Sequence, residues 1–120
     1  EQSQVELSEL DAAAAGIEAP VRLSGDCTAA GQCRLLGPAG ECTVTSVIIP
    51  ARHLHLPDHL ARAHGLRHHQ RVRLIPHDHP GQPIKEVVVR VHPTFAPELH
   101  LTGDEAAAFW LQTGDQVKLA

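Results

Sequence analysis

Two histidines stand one residue apart in Arg52-His53-Leu54-His55-Leu56, a segment preceded by Ile48-Ile49 and bracketed by Pro50 and Pro57. Alternate side chains of a β-strand share a face, so both imidazoles would point the same way. Ile48, Ile49, Leu54 and Leu56 favour an extended strand over 48–56, with no helical pattern before Pro57. Two imidazoles on one strand face form half a site for a divalent metal. The plain alternative is a pair that faces solvent or packs.

A third imidazole comes from a weak internal repeat. Val5-Glu6-Leu7-Ser8, Leu54-His55-Leu56-Pro57 and Leu99-His100-Leu101-Thr102 each place a polar residue between two apolar ones, ahead of a residue that starts helices. Each phrase leads to a short helix, a turn and a Val-x-Leu strand: Val21-Arg22-Leu23, Val72-Arg73-Leu74 and Val117-Lys118-Leu119. The unit is strand–helix–strand, and its central slot holds Glu6, His55 and His100, all residues of metal-ligand type. His53, His55 and His100 would leave a zinc ion an open coordination position, which is the catalytic arrangement. Such an ion can polarise a carbonyl or phosphoryl oxygen. Glu6 would be a fourth ligand or serve a second metal. Arg52 alternates to the opposite strand face and is the weaker candidate for holding an anion at the same ion.

The elements that must position these groups are short. The pattern predicts a strand over 4–8, a helix from Glu9 to Ala15 capped by Ser8 and ended by Gly16, and a turn at Ser24-Gly25-Asp26. It predicts a hairpin with strands 33–36 and 42–44, then the strand 48–56 and a helix from Pro57 to about His64. Strands follow at 72–75, 84–91 and 99–101. A helix over 104–111 behind Thr102 and a closing strand over 116–119 complete the chain. Many short strands with small helices suggest β-barrels with helical caps, a sandwich being the alternative. His77-Asp78-His79 falls in a Pro/Gly-rich loop that would not preorganise ligands, and His64, His68, His69 and His92 read as surface or cap residues.

Composition bounds the rest. One domain, or two very small ones, fits 120 residues. A net charge of −4 and an aromatic set limited to Phe95, Phe109 and Trp110 argue against nucleic-acid binding. Cys27, Cys33 and Cys42 leave one thiol unpaired in any disulfide scheme, so a reducing, cytosolic-type compartment is expected, with the cysteines as small buried hydrophobes. No signal peptide and no membrane span is visible. No Gly-rich phosphate loop and no Gly-x-Ser-x-Gly elbow is present either. The opening Glu1-Gln2-Ser3-Gln4 lacks a methionine and runs at once into strand-like sequence, as a piece of a longer protein would.

Several separated motifs together resemble the phosphate propanoyltransferase family, the phosphotransacylases associated with propanediol-type bacterial microcompartments. They are Gln4-Val5-Glu6-Leu7-Ser8, Asp11-Ala12, Gly16-Ile17-Glu18-Ala19-Pro20-Val21-Arg22 and Ser24-Gly25-Asp26, then Ile48 to Leu56. Val87 to Val91, Phe95, Glu98-Leu99-His100 and Thr113-Gly114-Asp115 to Leu119 continue the series in order. The resemblance implies a mainly β fold of two small β-barrels capped by short α-helices, with the active site between them. Residues 1–50 would be part of the central barrel and 51–120 the C-terminal barrel. It implies transfer of a short acyl group, propanoyl or acetyl, between coenzyme A and phosphate, with an acyl phosphate as the other partner. His53, His55 and His100 match the ligands of one zinc, and Glu6 a ligand of a second.

The family's first Arg-His-x-His segment, an arginine used on phosphate and the first strands of the fold would lie upstream of Glu1. One complete zinc site and one partial site are therefore expected here, the remainder coming from a missing N-terminal segment or a companion chain. A metal-dependent hydrolase of acyl phosphates and a non-catalytic β-barrel module are the alternatives, and homo-oligomerisation is left open. No serine or cysteine nucleophile with a positioned base is evident, so direct attack by the coenzyme A thiol is the simpler route.

Overall fold

The structure, a computed structural model, describes residues 3–120. The described residues are mainly β, with three α-helices of six residues each. The chain divides into two compact units, Glu1–Ala51 and Arg52–Ala120.

The first unit is built on one long strand. β1 (Val5–Glu6), α1 (Glu9–Ala14), β2 (Val21–Arg22) and β3 (Gly31–Gly37) precede β4 (Gly40–Pro50). β3 and β4 form an antiparallel hairpin, whereas β1 and β2 pair with β4 in parallel, Val5 opposite Val47 and Val21 opposite Ile49. The run Val44-Thr45-Ser46-Val47-Ile48 is rich in β-branched residues, and Val44, Val47 and Ile48 are buried with Ala12 of α1. Ser8 caps α1 by accepting a hydrogen bond from the Asp11 N–H at 3.1 Å, as its position predicts.

The expected single strand over 48–56 is two strands. β4 ends at Pro50, and β5 (His53–Leu56) begins after Ala51-Arg52. Pro50 has no N–H to donate, which favours a strand end there. The Ala51 N–H bonds to the Arg22 carbonyl in the first unit, and the Arg52 carbonyl accepts from Val88 in the second.

The second unit continues with α2 (Asp58–Ala63), β6 (Arg71–Pro76), β7 (Ile84–Val91), β8 (Glu98–His100), α3 (Gly103–Ala108) and β9 (Val117–Leu119). Its five strands lie in the order β8-β5-β7-β6-β9. β5 runs parallel to β7 and antiparallel to β8. Leu54, Leu56, Ala61, Leu74, Ile84, Val87 and Val89 form the core. Between β8 and β9, the two edges of this sheet, lies a cavity of about 1180 Å³ lined by Leu54, Leu74, Leu99, Leu111, Val117 and Leu119 among others.

The repeat is real in three dimensions: each phrase opens a strand–helix–strand unit, and all three helices close alike. The N–H groups of Gly16, Gly65 and Trp110 bond to the carbonyls of Ala13, Arg62 and Ala107. Those of Ile17, Leu66 and Leu111 bond to Ala12, Ala61 and Ala106. These are Schellman closures, with the residue after each helix cap in left-handed conformation at φ 70°, 65° and 55°. α3 stops at Ala108, shorter than expected, because this closure ends it there. Thr102 and Glu105 form a reciprocal capping box at its start.

The cysteines are all free, and none is a buried core residue as expected: Cys27 and Cys33 are half-buried, and Cys42 is exposed on the β3–β4 hairpin. No helix among the described residues is long and apolar enough to cross a membrane.

Candidate functional site

In β5 the side chains alternate as the sequence predicts: Leu54 and Leu56 are buried in the core, and His53 and His55 lie half-buried on the opposite face. β8 brings the third imidazole. His100 sits directly opposite His53 in the antiparallel ladder, and Glu98 opposite His55. Residues so paired bring their side chains within contact range.

Each of the three histidines offers one ring nitrogen, and these nitrogens lie within 4.8 Å of one another. His53 and His100 stack with ring centroids 4.8 Å apart, and His55 is tilted against both at 4.9 and 4.3 Å. Phe95 also stacks on His55, with centroids 3.9 Å apart, which restrains the ring.

The donor set fits a divalent metal. Nε2 of His55 and Nε2 of His100 are buried without a hydrogen-bond partner, although the His100 side chain as a whole is 42% exposed. Buried ring nitrogens ordinarily find a partner, and a metal supplies one. Glu98 Oε2 lies 3.5 Å from His100 Nε2, an ion pair only if that ring is protonated. His53, His55 and His100 would hold such a metal ion, each through one ring nitrogen. The His55 pKa is lowered, first by burial and then by His100, His53 and Arg90, with Glu98 opposing. A neutral imidazole is the metal-binding form.

Glu6 is exposed in β1 of the first unit, where its carboxylate accepts a hydrogen bond from Gln4 Nε2 at 2.7 Å. The Gln4 carboxamide also contacts Ser24 Oγ, the Gly25 N–H and Cys27 Sγ, tying β1 to the Ser24-Gly25-Asp26 turn. Among the described residues, the one group of three ligand-type side chains close enough to share a metal is His53, His55 and His100. His77 and His79 take no part in such a group, and Arg52 is engaged elsewhere by Glu105 at 2.6 Å.

The family pattern of phosphate propanoyltransferases matches residues 1–112. The chain belongs to that family. Phosphate propanoyltransferases similar to it include one from Priestia megaterium, 35% identical over 94% of this chain and 52% of the relative. One from Thermotoga maritima is 36% identical over 97% and 56%, and one from Escherichia fergusonii 39% over 88% and 51%. The chain thus spans about half the length of these curated relatives.

Three residues at the site were not singled out as parts of it: Arg90, Phe95 and Glu98. Arg90 is in register with His55 on β7, and Glu98 with His55 on β8. Their alignment comes from strand pairing between distant segments. Only the row order Glu98–His55–Arg90, known from the fold, reveals it.

Proposed function

We propose that this chain carries one zinc site of a phosphotransacylase that moves a short acyl group, propanoyl or acetyl, between coenzyme A and phosphate. The observation that carries the reading is the convergence of His53, His55 and His100 in a member of the phosphate propanoyltransferase family. Glu6 would serve a second zinc whose histidines belong to a further N-terminal segment or a companion chain.

The same reading extends to the fold. Residues 1–50 would be part of a central β-barrel and 51–120 a C-terminal one. The cavity between the β8 and β9 edges, lined by core leucines and by polar residues such as Glu98, Gln112 and Asp115, supports this reading, since two sheet edges, unpaired among the described residues, border it. Association with a bacterial microcompartment goes with the family reading.

The reaction balances without a protein nucleophile. The thiol sulfur forms a bond to the acyl carbon, the carbon–oxygen bond to phosphate breaks, and the thiol proton leaves with the phosphate. Zinc, when bound, supplies a Lewis acid for the acyl or phosphoryl oxygen and stabilises developing negative charge. The chain's own residues prepare for this. Leu54 and Leu56 anchor β5 in the core, so that His53 and His55 are presented from a rigid strand. Phe95 and the His53–His100 stack hold the rings in place, and burial lowers the His55 pKa.

Metal analysis combined with a thiol-consumption assay, using coenzyme A and propanoyl or acetyl phosphate, tests the proposal. Zinc bound through the three histidines and thiol loss matching phosphate release are expected. Phosphate release without coenzyme A would make the chain part of a hydrolase. No turnover with any added N-terminal segment, and no metal, would leave a binding module.

A further inference from the structure

We propose that Arg90 binds oxygens of the transferred phosphate, next to the three-histidine cluster; this deepens the transferase reading and rests on it. A bulge in β7 sets up the placement. Val72 pairs with Val87 but Leu74 pairs with Ile84, so β7 carries one extra residue, at which Glu86 adopts φ 57°. The extra residue reverses the strand's phase. Ile84, Val87 and Val89 therefore all enter the core, while Val88 and Arg90 emerge on the face that carries His53 and His55. Without the bulge, Arg90 would share the phase of Ile84 and point inward.

Arg90 lacks the partner that such a position demands. Its Nε is buried with no hydrogen bond, and among the described residues its guanidinium makes no ion pair. Arg52 and Arg71, by contrast, each hold a carboxylate, at 2.6 and 2.7 Å. Glu98 does not neutralise Arg90. It lies on the other flank of His55 and contacts His100. Arg90 is half-buried overall, and a buried donor left unpaired is costly, a cost that an arriving anion would recover.

The anion best matched is a tetrahedral oxyanion. A planar guanidinium donates two parallel hydrogen bonds to phosphate oxygens, and Arg90 stands in register with His55 one strand away. Coenzyme A also carries phosphates, so two sources share this chemistry. The position of Arg90, in the strand next to the three-histidine cluster, assigns it to the phosphate that is transferred.

The test uses metal-loaded protein with Arg90→Gln and Arg90→Lys. Bound zinc, calorimetric binding of inorganic phosphate, and KM values for phosphate and for propanoyl-coenzyme A are measured in parallel, with thermal unfolding as a check on folding. Arg90→Gln is expected to weaken phosphate binding and raise its KM by about 10- to 100-fold, with Arg90→Lys intermediate. Zinc content and KM for propanoyl-coenzyme A stay within about two-fold. Unchanged phosphate affinity, a rise confined to the coenzyme A substrate, or loss of zinc in step with loss of phosphate overturns the inference. Arg90-dependent phosphate binding without acyl transfer would sink the transferase reading and leave Arg90 standing. Normal transfer by Arg90→Gln at low phosphate would do the reverse.

Discussion

His53 and His100 face each other across the β5–β8 ladder with ring planes 4° from parallel. The stack aims both rings into the same space, so each orients the other as well as offering a nitrogen. Replacing His100 with Ala removes a ligand and the stack together. Zinc affinity should fall by more than the roughly 10- to 100-fold that follows loss of a mere outer partner. Equilibrium dialysis against a competing chelator measures this, and zinc retention equal to wild type would remove His100 from the site.

The Val91 N–H donates to His68 Nδ1 at 3.0 Å, so that nitrogen must be unprotonated in the folded chain. Desolvation lowers the His68 pKa below the ordinary 6.5, and His69 and Arg90 add to the effect. A histidine that resists protonation when folded stabilises the fold above the unfolded pKa. That stability declines as pH falls through about 6.5 and levels off below the folded value. His55 titrates in the same direction, so the contribution of His68 is the difference between wild type and His68→Gln in metal-free protein. Chemical denaturation from pH 8 to 5 should show a shallower acid decline in the variant, and parallel curves would refute it.

Trp110 occupies the left-handed position that Gly16 and Gly65 fill after the other two helices, and its side chain is 62% exposed. A non-glycine residue there costs about 1 kcal/mol. The visible return is an edge contact with His79 at 5.2 Å between centroids. Trp110→Gly is expected to stabilise the protein by about 0.5–1 kcal/mol, raising Tm by a few degrees. A lower Tm would mean that the indole holds the 77–83 loop more firmly than its exposure suggests.

Arg52 links α3 and β7. It bonds Glu105 of α3, donates to the Lys85 carbonyl at 3.1 Å, and lies over the Phe109 ring at 5.5 Å. The pair is only 28% and 21% exposed, so it is screened less than a surface bridge. Arg52→Ala should destabilise by about 1–3 kcal/mol. A double-mutant cycle with Glu105→Ala should return a coupling of about 1 kcal/mol. Additivity of the two substitutions would show that the pair adds nothing to stability.

Local signals made much of this legible in advance. Ser8 and Thr102 cap the helices they precede, and the alternation of His53-Leu54-His55-Leu56 places imidazoles and leucines on opposite faces. The repeat found His100, because its slot recurs after a recognisable phrase. What escaped depends mostly on pairing between distant segments. Pro50 marks the break at Ala51-Arg52 locally, but β-prone residues on both sides hide it, and the switch of pairing partners is what reveals it. The β7 bulge interrupts Ile84 to Val91 without a glycine, so the face taken by Arg90 was not readable from alternation. Cys42 looked like a core residue by type, and the hairpin carries it to the surface.

The parallel pairing of β5 with β7 and the return of β8 onto β5 also set a timetable. His53 and His55 are neighbours from the moment of synthesis, whereas His100 joins them only when a strand near the other end of the unit docks. Non-local pairings of this kind close late, because their loop entropy must be overcome first. An ion that needs all three rings is therefore captured after the sheet is assembled, and its uptake kinetics would clock the final docking event rather than the initial collapse.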